Sequence, residues 1–477
     1  MRDVCLVGWS QVSRYDGEPL AAWAEALTAT GVPPGRIDSL DVLYCQSWPY
    51  DDPAARLAEA VGATPRRTAY SGVGGTTPLQ LLGDAADRIA RGRADVCAVV
   101  GGEALATVRR LRKAGERPAW SHRHPEKQPF PFEAPFHPAE VAHRVFQAYS
   151  TFALRDVARR AHLGVDVEAH RASLGALFAP MTEMAADNPH AWFPTRRTSS
   201  ELVAVGPANR MVAYPYTKSL MAMMDVDQAA AFVLASVEAA DAMGVRPERR
   251  VHVRGWAATS DPDYVAEHRD LWRSPGLAAA ALGALERSGL SVDDVALLDL
   301  YSCFPSSVTF ALDALGVAPG DARAPFTVTG GLPYAGGPGS CYALTSVAAM
   351  ADRLVGWPGS TGMVTAVGMH MSKHAAVVLQ AGRGSFGGGA TAAQGSPGRA
   401  IAGAHEGPAT VAAYTVHHGA DGAPTDALLV CDVDPATRCY AVATTPDLLT
   451  ALESEEWVGR QVRLTPTDDV NVAVAVA

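Results

Sequence analysis

Short apolar runs alternate with amphipathic stretches through the first half of the chain. VCLVG at 4–8, LDVLYC at 40–45 and VCAVVGG at 96–102 carry the largely continuous apolar pattern of buried strands. Between them, 19–28 and 79–91 read as helices; in the second, Leu79, Leu82, Ala86, Ile89 and Ala90 recur close to a 3.6-residue period. Strands separated by helices predict parallel βαβ units and an α/β fold. The same rhythm returns between about 250 and 380, with RVHVRGW, VALLDLY and GMVTAVGM as strands and 275–288 and 345–354 as helices. Two such stretches suggest a duplicated unit, although no repeat is visible residue by residue.

Three segments depart from this rhythm. Residues 105–220 form an inserted, partly helical loop region within the first half (1–240); its segment SHRHPEKQPFPFEAPFHP is too rich in proline for a helix or central strand. An excursion of that length on an α/β core is more often functional than a plain connection. The second half spans 241–380. Residues 381–407 are dominated by Gly, Ala and Ser without apolar periodicity, which predicts a flexible linker. Beyond it, 408–477 hold ATVAAYTV, ALLVCDV, RCYAVAT and QVRLTPT, divided by turn signals and joined by one helix at 445–452. Short, regularly spaced strands of this kind predict a small β-barrel, OB-like in the first instance.

Composition narrows the class. The 477 residues carry a formal net charge of −10, which argues against a nucleic-acid partner. Seven cysteines, an odd number without a CxxC pair, fit free thiols and predict a cytoplasmic protein with neither a disulfide framework nor a metal site. The N-terminal apolar run is too short for a secretory signal, and the longest apolar stretch, near 229–240, is interrupted by Glu238, so no membrane span is expected. Only four basic residues are lysines (Lys113, Lys127, Lys218, Lys373), a composition bias.

Four patterns carry candidate chemistry. Tyr70-Ser71-Gly72-Val73-Gly74-Gly75-Thr76-Thr77 runs into the helix at Leu79, so a helix N-terminus offers N–H donors there. Ser71 is a nucleophile only with a base beside it, and otherwise a turn residue. Asp299-Leu300-Tyr301-Ser302-Cys303-Phe304 closes a strand, where α/β sites collect; Cys303 is a site thiol or a core-packed residue. The glycines of 330–340 imply close backbone approach to a ligand or another loop. Gly368-Met369-His370-Met371-Ser372-Lys373-His374 places two histidines four apart around a lysine, a spacing that suits a metal only with a third ligand; a pocket-lining loop is the other reading. Arg109, Arg110, Arg112, Lys113 and Arg117 are either phosphate contacts or a solvated basic face.

Taken in this order and spacing, the motifs resemble the thiolase superfamily over about residues 1–380, closest to sterol-carrier-protein-like thiolases and thiolase-like proteins with an added C-terminal domain. VCAVVGGEAL resembles the strand and GG-x-E turn after the nucleophile helix, and DQAAA at 227–231 resembles SDGAAA. Residues 299–304 resemble the Asn-Glu-Ala-Phe or His-Asp-Cys-Phe motif, 330–339 the GGL…GHP-x-G loop, and 366–368 the Cys-x-Gly motif. The resemblance implies a thiolase fold of duplicated αβαβα layers. It also places the nucleophilic Cys on Ser71, the Asn/His of the third motif on Tyr301, the GHP histidine on Gly337 and the last Cys on Ala366, so every standard catalytic position is replaced.

The implied expectation is a divergent acyltransferase acting on acyl-CoA or a related, carrier-linked thioester. Ser71, Tyr301, His374 and Cys303 are its candidate catalytic residues, and Gly74, Gly75, Tyr334, Gly336, Gly337, His370 and Lys373 its substrate-binding residues. No tightly bound cofactor is expected; coenzyme A or acyl-CoA enters as substrate or ligand. The alternatives are a retro-aldol lyase on a β-hydroxyacyl-CoA, in which Tyr301 takes the hydroxyl proton, and a non-catalytic CoA-thioester binding protein. Either a homodimer or a monomer fits.

Overall fold

Residues 1–126, 136–393 and 398–475 are described by a computed structural model. Half of the proline-rich segment (127–135, including Lys127), residues 394–397 of the Gly-rich stretch, and 476–477 lie outside the described residues.

The duplication that the letters conceal is plain in the strand pairing. Val4–Ser13 runs antiparallel to Asp227–Ser236, which runs antiparallel to Val96–Ala104, which is parallel to Ser39–Val42. In the second half Val251–Ser260 is antiparallel to Lys373–Ala381, which is antiparallel to Thr361–Gly368, which is parallel to Leu297–Asp299. The two patterns are the same, and they join where Cys5 and Leu6 pair with His252 and Val251. Arg67–Tyr70 adds an outer strand to the first half.

Helices complete the layers because each strand face left by this pairing is apolar. Pro19–Ala29 and Pro53–Val61 cover one outer face through a core that includes Trp23, Leu27 and Leu57. Pro275–Ser288 and Pro305–Leu315 cover the other. Thr77–Ala90 and Tyr342–Val355 lie between the halves, and 342–355 is buried almost all round, as a central helix must be. A Cβ on Gly83 would collide with the Trp256 ring, so glycine there sets how closely the first central helix meets the opposite sheet. These layers give the αβαβα thiolase fold.

The loop region is built from the helices Leu105–Lys113, Pro138–Ala142, Ala148–His162, Val167–Asp187 and Ser199–Val203, followed by the short strands Met211–Ala213 and Tyr216–Thr217. The C-terminal strands Gly407–His418, Pro424–Asp432, Thr437–Ala443, Val470–Ala475 and Gln461–Thr467 close a barrel in that spatial order, and Pro446–Ser454 is its helix. Numbered along the chain, the order is 1-2-3-5-4-1, the closed Greek-key arrangement of an OB-like barrel.

The flexible linker predicted for 381–407 is corrected in its described part. Gly389–Ala393 is a strand parallel to Val251–Ser260, and Ala400–Ala402 is a strand parallel to Thr437–Ala443. Here small residues permit close approach, not freedom: a Cβ on Gly389 would run into the Trp256 indole. No helix among the described residues is long and apolar enough to cross a membrane, and all seven cysteines are buried free thiols.

Candidate functional site

The four motifs meet at the N-terminal end of the central helix Thr77–Ala90. A Cβ built on Gly75 would collide with the Val367 carbonyl oxygen and lie 2.8 Å from the Tyr301 hydroxyl. Gly74 N–H donates to Ser340 Oγ at 2.9 Å, which brings in the Gly-rich loop, and Gly368 stands against Thr76 and Gly75. The convergence point is therefore Gly75, not Ser71, and the Tyr301 hydroxyl takes up space that a side chain at 75 would need.

Each wall is positioned by buried polar groups. Tyr301 N–H donates to Thr365 Oγ1 (3.0 Å), and its ring meets Tyr342 edge-on at 5.6 Å. Asp299, fully buried, accepts from Val328 N–H (2.8 Å) and Thr327 Oγ1 (3.1 Å), while Ser302 Oγ accepts from Leu332 N–H (3.2 Å); both pin the start of the 330–340 loop to the third motif. Within that loop Gly330, Gly331, Gly336 and Gly339 have φ between 52° and 106°, backbone that only glycine adopts readily. On the far side, the buried Glu103 carboxylate accepts from Gln46 N–H (2.7 Å), Ser47 N–H (2.9 Å) and Ser47 Oγ (2.7 Å) and packs against Gly339.

Tyr301 is 7% exposed, and burial, then the neighbouring Cys303 and Tyr342, push its phenol well above the ordinary value of 10. Burial thus disfavours the phenolate that a base at this position would need. No hydrogen bond to its hydroxyl is made by the described residues.

The remaining candidates divide. Ser71 Oγ accepts from Tyr44 N–H (3.0 Å) and donates to the Gly72 carbonyl (2.9 Å), the bonds of a turn residue; among the described residues no imidazole bonds to it. His374 is fully buried on the strand Lys373–Ala381, where Nε2 meets Asp261 Oδ2 (3.1 Å) and Ser274 Oγ (3.0 Å), so the structure does not bring Ser71 and His374 together. Burial lowers His374, while the Asp261 carboxyl is held well below the usual range despite its own burial, by the His374 imidazole first and by Ser274 and Arg155 after it. The reason for the parting of the two histidines is a hairpin. Gly368 pairs with Lys373, the turn between them has Met369 and Met371 at φ 54° and 63°, and His370 is aimed the other way, with Nδ1 2.8 Å from Thr151 Oγ1. No metal cluster exists among the described residues.

Cys303 is packed, with Sγ against Ser307 Oγ at 3.6 Å and its thiol pushed up to about 12 by burial, so it is no thiolate nucleophile. The Tyr334 hydroxyl is buried without a partner among the described residues, Gly336 abuts Gln228 Oε1, and Gly337 packs on Leu332. Lys373 is half-buried at the start of its strand. Among the arginines, Arg109 pairs with Asp225 and Arg110 with Asp16, an exposed, ion-paired face. A cavity of about 490 Å³ lies nearby, lined by Trp48, Arg112, Arg117 and Arg123 but by none of the residues around Gly75.

Sequence reasoning passed over Ser340, Thr365 and Gln228. Gln228 Nε2 donates to the Ala335 (2.8 Å) and His190 (3.0 Å) carbonyls, and its Oε1 is buried beside Gly336 with no partner among the described residues. Its place in DQAAA was the available signal.

Layers and site together define a thiolase-fold protein with an added barrel. No protein-family model and no curated protein matches the chain. Among solved structures, a monomeric SCP2-thiolase-like protein type 1 from Mycobacterium smegmatis is 27% identical, matches 99% of each chain and superposes with a TM-score of 0.84. The Ltp2–ChsH2(DUF35) aldolase (18% identity, 80% of this chain and 98% of that one, TM-score 0.61) shares the fold. Human mitochondrial 3-ketoacyl-CoA thiolase (16%, 80% and 99%, TM-score 0.57) shares it as well. The chain has the thiolase fold and is similar over nearly its whole length to an SCP2-thiolase-like protein.

Proposed function

We propose that this protein binds an acyl thioester and stabilises its enolate, cleaving a β-hydroxyacyl thioester by retro-aldol chemistry. The observation that supports the reading is the buried Tyr301 hydroxyl beside Gly75, in the same turn as the Ser71 on which the resemblance places the nucleophile. A phenol held neutral in a dry site is a strong donor to an oxygen on which negative charge develops. In the reaction the Cα–Cβ bond breaks, its electrons pass into the thioester enolate, and the β-hydroxyl gives its proton to solvent water as its oxygen becomes a carbonyl. A proton then returns to Cα, so the sum yields a shortened thioester and an aldehyde or ketone with no oxidant.

At this site, acyl transfer through a covalent enzyme intermediate has less support: Ser71 is held by turn bonds, Cys303 is a packed thiol and Gly75 has no side chain. The solved aldolase that shares the fold is consistent with the lyase reading. The test is incubation with 3-hydroxyacyl-CoA esters of graded length. Aldehyde or ketone release that falls about 100-fold in Tyr301→Phe, with unchanged unfolding, is expected, and thiolysis of acetoacetyl-CoA is not. Absence of carbonyl product at every chain length, or undiminished release in the variant, overturns the reading.

A further inference from the structure

A second constellation lies where the loop region meets the barrel, and it shares no residue with the four motifs. Ser150 Oγ is 2.8 Å from His417 Nε2, and His417 Nδ1 is 2.8 Å from Asp426 Oδ2. No motif in the letters marks it, because its members are 267 and 9 residues apart. The fold supplies the geometry in two steps. His417 and Asp426 are direct partners in the antiparallel pairing of Gly407–His418 with Pro424–Asp432, so their side chains share one face of the barrel. His417 also pairs with Ala213 of the loop region, which seats that face against the start of the helix Ala148–His162.

The arrangement fixes proton positions. The Asp426 carboxylate accepts the Nδ1–H, and the imidazole holds that carboxyl below its usual range; Thr425 Oγ1 donates to its other oxygen at 2.8 Å. With the proton on Nδ1, Nε2 carries a lone pair and accepts from Ser150 Oγ–H, the order of a nucleophile, its base and the base's orienting group. Ser150 is the third residue of its helix, and the amides of Ala148 and Tyr149 before it have no acceptor within the helix, which leaves them as candidate donors for an oxyanion. The imidazole and carboxylate side chains are 23% and 40% exposed, whereas Ser150 is 3% exposed, which restricts the acyl group to a small one.

We propose that Ser150, His417 and Asp426 form an acyl-transfer site for small esters or thioesters, separate from the Tyr301 site. Ser150 Oγ bonds to the carbonyl carbon as its proton passes to His417 Nε2. The bond to the alcohol or thiol breaks as that proton is handed to the leaving group, and water releases the acid by the same sequence. This rests on none of the residues of the retro-aldol reading, and either can fail alone.

The test treats the full-length protein with a fluorophosphonate, in which the P–O bond to serine forms as fluoride leaves, and follows intact mass and peptide mapping. One adduct on Ser150 is expected, absent in Ser150→Ala. In Asp426→Asn, where the amide disfavours the required tautomer, labelling should slow about 100-fold with the unfolding midpoint unchanged. Hydrolysis of p-nitrophenyl acetate should fall in parallel. No adduct on folded protein at excess probe, an adduct that survives Ser150→Ala, or equal labelling of Asp426→Asn overturns the proposal and leaves the three residues as a clamp between barrel and helix.

Discussion

At the scale of single residues, the site is shaped as much by what is missing as by what is present. Gly75 has no side chain, and the Val367 carbonyl and Tyr301 hydroxyl stand where one would be. Gly75→Cys therefore supplies a thiol but no room for it. The expected outcome is a loss of about 1–3 kcal/mol in urea unfolding and no gain of acetoacetyl-CoA thiolysis, since backbone at 367 cannot yield as a side-chain end would. His370 gives a pH signature. Burial lowers its pKa from 6.5 to about 4, so on acidification the unfolded chain takes up a proton before the folded one does. Its stability contribution is complete above about pH 6.5 and is lost as pH falls from there to about 4, amounting to about 3 kcal/mol at most. Urea midpoints at pH 7.5 and pH 5 should differ less in His370→Gln than in the unsubstituted protein. Tyr301 was legible from its motif, but its partner at Gly75 was not singled out as the centre, because a glycine leaves no chemical signal in the letters. Ser71 drew attention instead for carrying a hydroxyl.

At the scale of elements, the strands with flanking turns were legible: 275–288 and 461–467 coincide with the observed helix and strand. Others were hidden for physical reasons. Asp227–Ser236 is buried along its whole length and reads as an undifferentiated apolar run. Lys373–Ala381 begins inside the His-x3-His motif, which claimed its first two residues. Gly389–Ala393 is the sharpest case, since a strand of Gly, Ala and Thr has the composition of a linker, and only its neighbour Trp256 makes small residues the right ones. Hydrogen exchange separates the two descriptions: amides within 389–393 should be protected relative to the exposed turn at 419–422, whereas a free linker would exchange as fast as that turn.

At the scale of the whole molecule, the barrel and the loop region share a core. Arg160, fully buried on the helix Ala148–His162, donates to the hydroxyls of Tyr214 and Tyr414 (2.8 Å each) and reaches Glu456 at 3.0 Å. Removing that side chain in Arg160→Ala leaves two buried hydroxyls and a carboxylate short of a partner, so a loss of about 2–4 kcal/mol is expected. Because the helix also packs on the thiolase layers, through Phe152 against Phe304 at 4.7 Å, thermal unfolding should remain one transition at a lower midpoint. A variant that melts in two steps would show barrel and body to be independent. None of this was legible beforehand, since contacts such as Arg160–Tyr414 are 254 residues apart and depend on the fold being formed.

The strand pairs at Gly389–Ala393 and Ala400–Ala402 give the attachment of the barrel a further meaning. A module tethered by a slack chain samples a volume and meets its partner at an effective concentration in the millimolar range. A module paired on both sides of its tether has no such volume to sample. What would be a binding equilibrium between two separate chains becomes here a fixed property of one, insensitive to dilution and to competition from other partners.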